Sequence, residues 1–168
     1  MFTMEAEVIS VRISSILALF DMQTTFFSSA LAGISDTDAH NRLHTKANHI
    51  AWLAGSLVQE RFETAKALGE NRRQAAHELF QDNKGIQDNI TYPSLNSYAK
   101  DWKMITPVLR SALVNVSDEK LDAQFEMAPG MTMTYFELIA FIIYREANII
   151  GQIALWRRLL GYEAMKYM

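Results

Sequence analysis

Four histidines, one arginine set among apolar residues and a few carboxylates are the side chains here that could do chemistry. His40 and His44 are four apart, a spacing at which one helix face can clamp a metal ion. They flank Asn41 and Arg42 at the start of an expected helix, and no third ligand stands with them. His49 falls further along the same helix, where an imidazole satisfied by a polar neighbour is a simpler reading than a metal ligand. His77 lies in a polar stretch and reads as a surface residue. Arg145 is the sharper signal. It stands among Phe141, Ile142, Ile149 and Ile150, and a buried guanidinium requires a carboxylate or an anion because desolvating it alone is expensive. Glu60, one turn beyond Ser56, can supply that carboxylate, whereas Glu146 points elsewhere on the helix of Arg145. Either an Arg145–Glu60 pair serves as a polar tie, or Arg145, Ser56 and His49 bind the carboxylate or phosphate of a small ligand. Asp36, Asp38, Glu60 and Glu63 make no fixed convergent pair for acid–base work. No Gly-rich phosphate loop and no Ser–His–Asp order can be read.

The elements that must position these groups are helices. A chain of 168 residues supports one domain, residues 1–168, since a split would leave two marginal cores. Three prolines and seven glycines favour helices over a sandwich or barrel. The net charge of −3 and the scattered basic residues argue against nucleic acid or anionic lipid as a partner. The absence of cysteine excludes disulfides, thiolate metal sites and cysteine nucleophiles, and fits a reducing cytoplasm. The first residues lack the pattern of a signal peptide. The longest apolar run, Leu138 to Ile143 with its flanks, is broken by Arg145 and Glu146 and is too short for a membrane span. The expectation is a soluble, cytoplasmic protein.

Periodicity places a first helix from about Glu5 to Leu31, with Val8, Ile9, Ile13, Ile16, Leu17, Phe20, Phe27 and Leu31 on one face and Gly33 ending it. Ser35 and Asp36 cap a single turn through Ala39. The second long helix runs from about Thr45 to Leu68, with His49, Trp52, Leu53, Ser56 and Glu60 on its inward line. A polar crossover, Glu70 to Tyr92, holds a short helix at Ala75 to Phe80 and a turn at Asn83-Lys84-Gly85. Pro93 opens the third long helix, which buries Leu95, Tyr98, Trp102, Ile105, Leu109 and Leu113 and carries Pro107 inside it. Ser117 caps a short turn, and Ala128-Pro129-Gly130 loops into the last helix. That helix has a capping box at Thr134 and Glu137, Arg157 and Arg158 in its last turn, and Gly161 as its stop. Trp52, Trp102, Trp156 and most methionines read as core or interface packing. The apolar tail from Tyr162 through Met165 and Tyr167 to Met168 reads as cover for a groove or a second subunit.

The phrases NHIAWLAGSL at 48–57, YPSL at 92–95 followed by Trp102, VSDEKLD at 116–122 and REANIIGQIALWRRLLG at 145–161 resemble the DinB/YfiT-like family. These are bacterial four-helix bundles with a long crossover between the second and third helices. The resemblance spans almost the whole chain and is most specific at its end. It implies an all-α four-helix bundle and a homodimer packed across a two-fold axis. Members typically hold a divalent metal with three histidines, one on the second helix and two on the last, and some use it to activate a thiol. Laid on the Gly-Gln anchor and on Gly55 and Leu57, those three positions are Arg145, Ile149 and Ser56 here, none an imidazole. The resemblance therefore implies a degenerate metal site with no cofactor. Its pocket is lined by His49, Trp52, Ser56, Glu60, Arg145 and Ile149, and open to a small anionic ligand in a non-catalytic bundle. A metal-dependent thiol transferase or hydrolase of the same type is the other reading.

Overall fold

The last long helix, α7 (Tyr135–Leu159), begins and ends on its sequence signals. Thr134 Oγ1 accepts the Glu137 N–H at 3.1 Å while the Glu137 carboxylate accepts the Thr134 N–H at 2.7 Å, and Gly161 stops the chain's helical course at φ +88°. The computed structural model describes residues 10–168, so Glu5 to Ile9 of the expected first helix lie outside it. Three more long helices follow the apolar periodicity: α1 (Val11–Leu31), then α3 (Ile50–Ala67) and α5 (Leu95–Val114), with the single turn α2 (Asp36–Ala39) between the first two. The rest is short: α4 (His77–Phe80) with a 3-10 turn at Gln81–Asn83, α6 (Asp118–Asp122), and two antiparallel strands, β1 (Gln124–Ala128) and β2 (Met131–Thr134). The fold is all-α in character. α1 packs on α5 and α7, and α3 packs on the same two helices, around one core. Trp156 of α7 donates to the Asn48 carbonyl at 2.9 Å, and Arg145 reaches Ser56 and Glu60. α3 and α7 therefore run in opposite directions.

The buried face of α5 is the one its periodicity requires: Leu95, Tyr98, Trp102, Ile105, Leu109 and Leu113. Pro93 does not open this helix. Ser94 caps it by accepting the Ser97 N–H, which leaves the proline one residue outside. The helix expected from Thr45 starts instead at Ile50. Asn41 Oδ1 accepts the Leu43 N–H, Arg42 donates to the Lys46 and Ala47 carbonyls, and Thr45 Oγ1 accepts the Ala47 N–H. These side chains capture the backbone groups a helix would need, and Leu43 and His44 sit at left-handed φ. The expected loop at Ala128-Pro129-Gly130 is the tip of a hairpin, with Gln124 opposite Thr134 and Gly130 at φ +77°. In the crossover, where a turn is expected at Asn83-Lys84-Gly85, Asp82 and Asn83 are the residues at left-handed φ.

Gly55 has a steric role. A Cβ there would overlap the rings of Phe80 and Tyr98, so glycine lets α4 and α5 close onto α3. The tail folds onto its own chain. Met165 is buried, Tyr167 sets its ring edge against Phe26, and the Tyr162 hydroxyl donates to Asp38 while accepting the Ser35 N–H. Arg157 does more than complement a helix dipole, since its buried guanidinium donates to the carbonyls of Ala30, Ala32 and Glu163. Several methionines expected in packing are exposed, among them Met22, Met104, Met127 and Met131.

Candidate functional site

Ser56 and Glu60 are one turn apart on α3, and Arg145 reaches both from α7. Its Nη2 donates to Ser56 Oγ at 3.2 Å and its Nη1 lies 3.0 Å from Glu60 Oε1. The pairing expected from sequence is present, but the burial is reversed: the Arg145 side chain is 36% exposed and that of Glu60 only 12%. Glu60 Oε2 is buried with no partner. Burial pushes the Glu60 carboxyl up to about 8, against the pull of Arg145 and with a further push from Glu146. Trp52, one turn before Ser56, is half-buried with an unpartnered indole N–H, and Ile149 is buried in the core one turn beyond Arg145.

The fully buried guanidinium is Arg61, not Arg145. It forks onto Glu146 through Nε at 2.6 Å and Nη2 at 2.9 Å, and both side chains are 0% exposed. Its Nη1 donates to Thr24 and Thr106, and its plane lies 3.5 Å from the Trp102 ring centroid and 4.0 Å from that of Phe20. One residue thus ties together α1, α3, α5 and α7. The signal was available in the helix neighbours. At steps of three and four, Glu146 meets Ile142, Ile143, Ile149 and Ile150. Arg145, by contrast, meets Asn148 as well as apolar residues, and its exposure follows from that.

His49 does not sit with Arg145. It is the N-cap of α3, its Nδ1 accepting the Trp52 N–H at 3.1 Å, and Ser56 stands seven residues on, about 10 Å along the axis. Burial, together with the nearby His40 and Arg42, lowers its pKa to about 4. His40 closes α2, with Nδ1 against the Asp36 carbonyl at 2.6 Å and Nε2 against the Tyr92 carbonyl at 3.0 Å, while His44 occupies a turn. The two do not share a helix face. His77 is held rather than loose on the surface, with Gln59 at 3.0 Å from its Nδ1. Among the described residues no three His, Asp or Glu side chains come together as a metal site.

The donor set at Ser56, Arg145 and Ile149 does not fit the metal that the resemblance implies, because a guanidinium is a permanent cation, isoleucine has no donor, and a lone hydroxyl is a poor ligand. No protein-family model and no curated protein sequence matches the chain.

Proposed function

We propose that this chain is a DinB/YfiT-like four-helix bundle, with a long crossover between its second and third long helices, that binds a small anionic ligand without a metal and without catalysing a reaction. The observation that carries the reading is the Arg145 guanidinium, open to solvent on one side and held between Ser56 and a buried carboxyl. A carboxyl raised to about 8 is largely protonated at neutral pH. Arg145 then keeps its charge uncompensated, with the Ser56 hydroxyl beside it. A carboxylate or phosphate supplies the missing counter-charge and accepts hydrogen bonds from the guanidinium and that hydroxyl.

The bundle class is supported by four long helices sharing one core and by the crossover between α3 and α5. A homodimer is supported by the outward stripe of α7, where Phe141, Tyr144, Leu155 and Leu159 are all exposed. A bacterial, cytoplasmic protein accords with the resemblance and with the scattered basic residues, which give nucleic acid no patch. α7 is long and apolar enough to cross a membrane by length and composition, beyond what the apolar run alone indicated. Arg145 and Glu146, tied to Glu60 and Arg61 of α3, suit a core helix better than a membrane-spanning one.

Two measurements test the reading together. Metal content by mass spectrometry, after growth with zinc and nickel, is expected below about a tenth of an atom per chain. Calorimetric titration with phosphate is expected to show binding that Arg145→Gln abolishes. Close to one metal per chain, lost on changing His49, would overturn the reading in favour of a metal-dependent thiol transferase or hydrolase. No anion binding, or binding indifferent to Arg145→Gln, would remove the ligand reading.

A further inference from the structure

A cavity of about 310 Å³ opens at the N-terminal end of α3, lined by His40, Arg42, His49, Ile86, Ile90 and Thr91 among others. Its size is that of a small ligand site. Three features set its chemistry. His49 is only 6% exposed and spends Nδ1 as an acceptor on the Trp52 N–H, so the ring proton is on Nε2. Nε2 has no protein partner among the described residues, and the ring forms part of the cavity wall, so its N–H is left for an occupant. The second feature is positive potential. The α3 N-terminus carries the positive end of its dipole, and the Arg42 guanidinium lines the same cavity.

The third feature is Arg42. Its Nε and Nη2 are committed to the carbonyls of Ala47 and Lys46, and its Nη1 donates to Asp88 at 2.7 Å. Asp88 is 80% exposed on its own side chain, whereas Arg42 is 25% exposed. Asp88 is therefore the exchangeable partner, and its carboxylate marks where another carboxylate can stand. Ile86 and Ile90 give the same cavity apolar walls.

We infer that this cavity is a second ligand site, separate from the Arg145 cluster, for a small organic carboxylate with an apolar body. The carboxylate takes the His49 Nε2–H and displaces Asp88 from Arg42, while the hydrocarbon lies against Ile86 and Ile90. The inference does not depend on anion binding at Arg145.

Calorimetric titration of the full chain with hexanoate and with acetate tests it, using three variants. His49→Asn keeps a good N-cap acceptor but has no imidazole donor, so the helix start survives while binding weakens about tenfold or more. Asp88→Asn removes the competing carboxylate and tightens binding several-fold. Arg145→Gln leaves the His49-dependent part of hexanoate binding in place, which separates this site from the other. Hexanoate is expected to bind more tightly than acetate, since only its chain can use the isoleucine walls. The inference is overturned if hexanoate does not bind, if His49→Asn binds it as the unaltered chain does with its melting temperature retained, if Asp88→Asn binds it more weakly, or if Arg145→Gln abolishes the binding.

Discussion

Replacing Glu60 by glutamine tests whether Arg145 has a counter-ion. In the folded chain the Glu60 carboxyl is raised from 4.5 to about 8, chiefly by burial. A carboxyl with a raised folded pKa holds its proton in the native state over a range where the unfolded chain has released it. The stability this confers is full below pH 4.5 and is lost as pH rises through about 8. At about 1.4 kcal/mol for each pH step, the whole span has a ceiling of about 5 kcal/mol. His49 runs the other way, because its lowered pKa makes stability rise with pH from about 4 to 6.5. The two slopes oppose one another in mildly acidic solution, so the signature of Glu60 stands clear of His49 only above pH 6.5. From there to pH 8 the unaltered chain should lose about 2 kcal/mol relative to Glu60→Gln. The assay is urea unfolding of both chains at half-unit pH intervals, with the difference between them plotted against pH. A flat difference across that window refutes the reasoning. It would mean that Glu60 is ionised at neutral pH, that Arg145 already has its counter-charge, and that a solution anion has nothing to neutralise there.

Three further expectations concern single sites. Glu146→Ala leaves the Arg61 guanidinium buried without its carboxylate and should cost about 3–5 kcal/mol in urea unfolding, whereas Arg61→Met with Glu146→Leu should recover most of that loss. Gly55→Ala should destabilise by about 1–3 kcal/mol despite alanine's better helix propensity, because its methyl group meets the Phe80 and Tyr98 rings; a rise in melting temperature would show that those rings can move aside. His49→Asn should remove about 2–3 kcal/mol of pH dependence between pH 6.5 and 4, the range in which the unfolded chain binds a proton at this histidine while the folded chain keeps Nδ1 free to accept the Trp52 N–H; an undiminished slope would place the acid sensitivity elsewhere.

What was legible in the sequence was whatever short-range chemistry decides. The capping box of Thr134 and Glu137, the Ser117 cap of α6 and the buried face of α5 are set by residues three or four apart, and each appears as read. The Arg145–Glu60 pair was also legible, because a cation among isoleucines has few ways to be satisfied. The start of α3 was not, since it depends on which backbone groups Asn41, Arg42 and Thr45 capture, and an apolar pattern is silent on that competition. The hairpin at 124–134 was missed because its strands are short and largely exposed, leaving no alternation to read. The burial of Arg61 and Glu146 was missed for another reason. Sequence alone assigns the burial to Arg145, since adjacent charged residues on one helix are told apart only when each is set against its neighbours one turn away.

Those adjacent charges explain how α3 and α7 find one register. α3 presents Glu60 then Arg61, and α7 presents Arg145 then Glu146, with Glu60 meeting Arg145 and Arg61 meeting Glu146. The order of charge is inverted between the helices, so each pair is complementary only in this alignment. A rotation of either helix by one residue sets Arg61 towards Arg145, opposing like charges where water is scarce, or leaves Glu146 without its cation. The apolar faces alone would not forbid such a shift, since isoleucines packed on alanine and valine accept several alignments. The inner pair, closed by Thr24, Thr106 and two aromatic faces, fixes the helices. That leaves Arg145, half open to water beside a protonated carboxyl, as the cation that can take its counter-charge from a ligand.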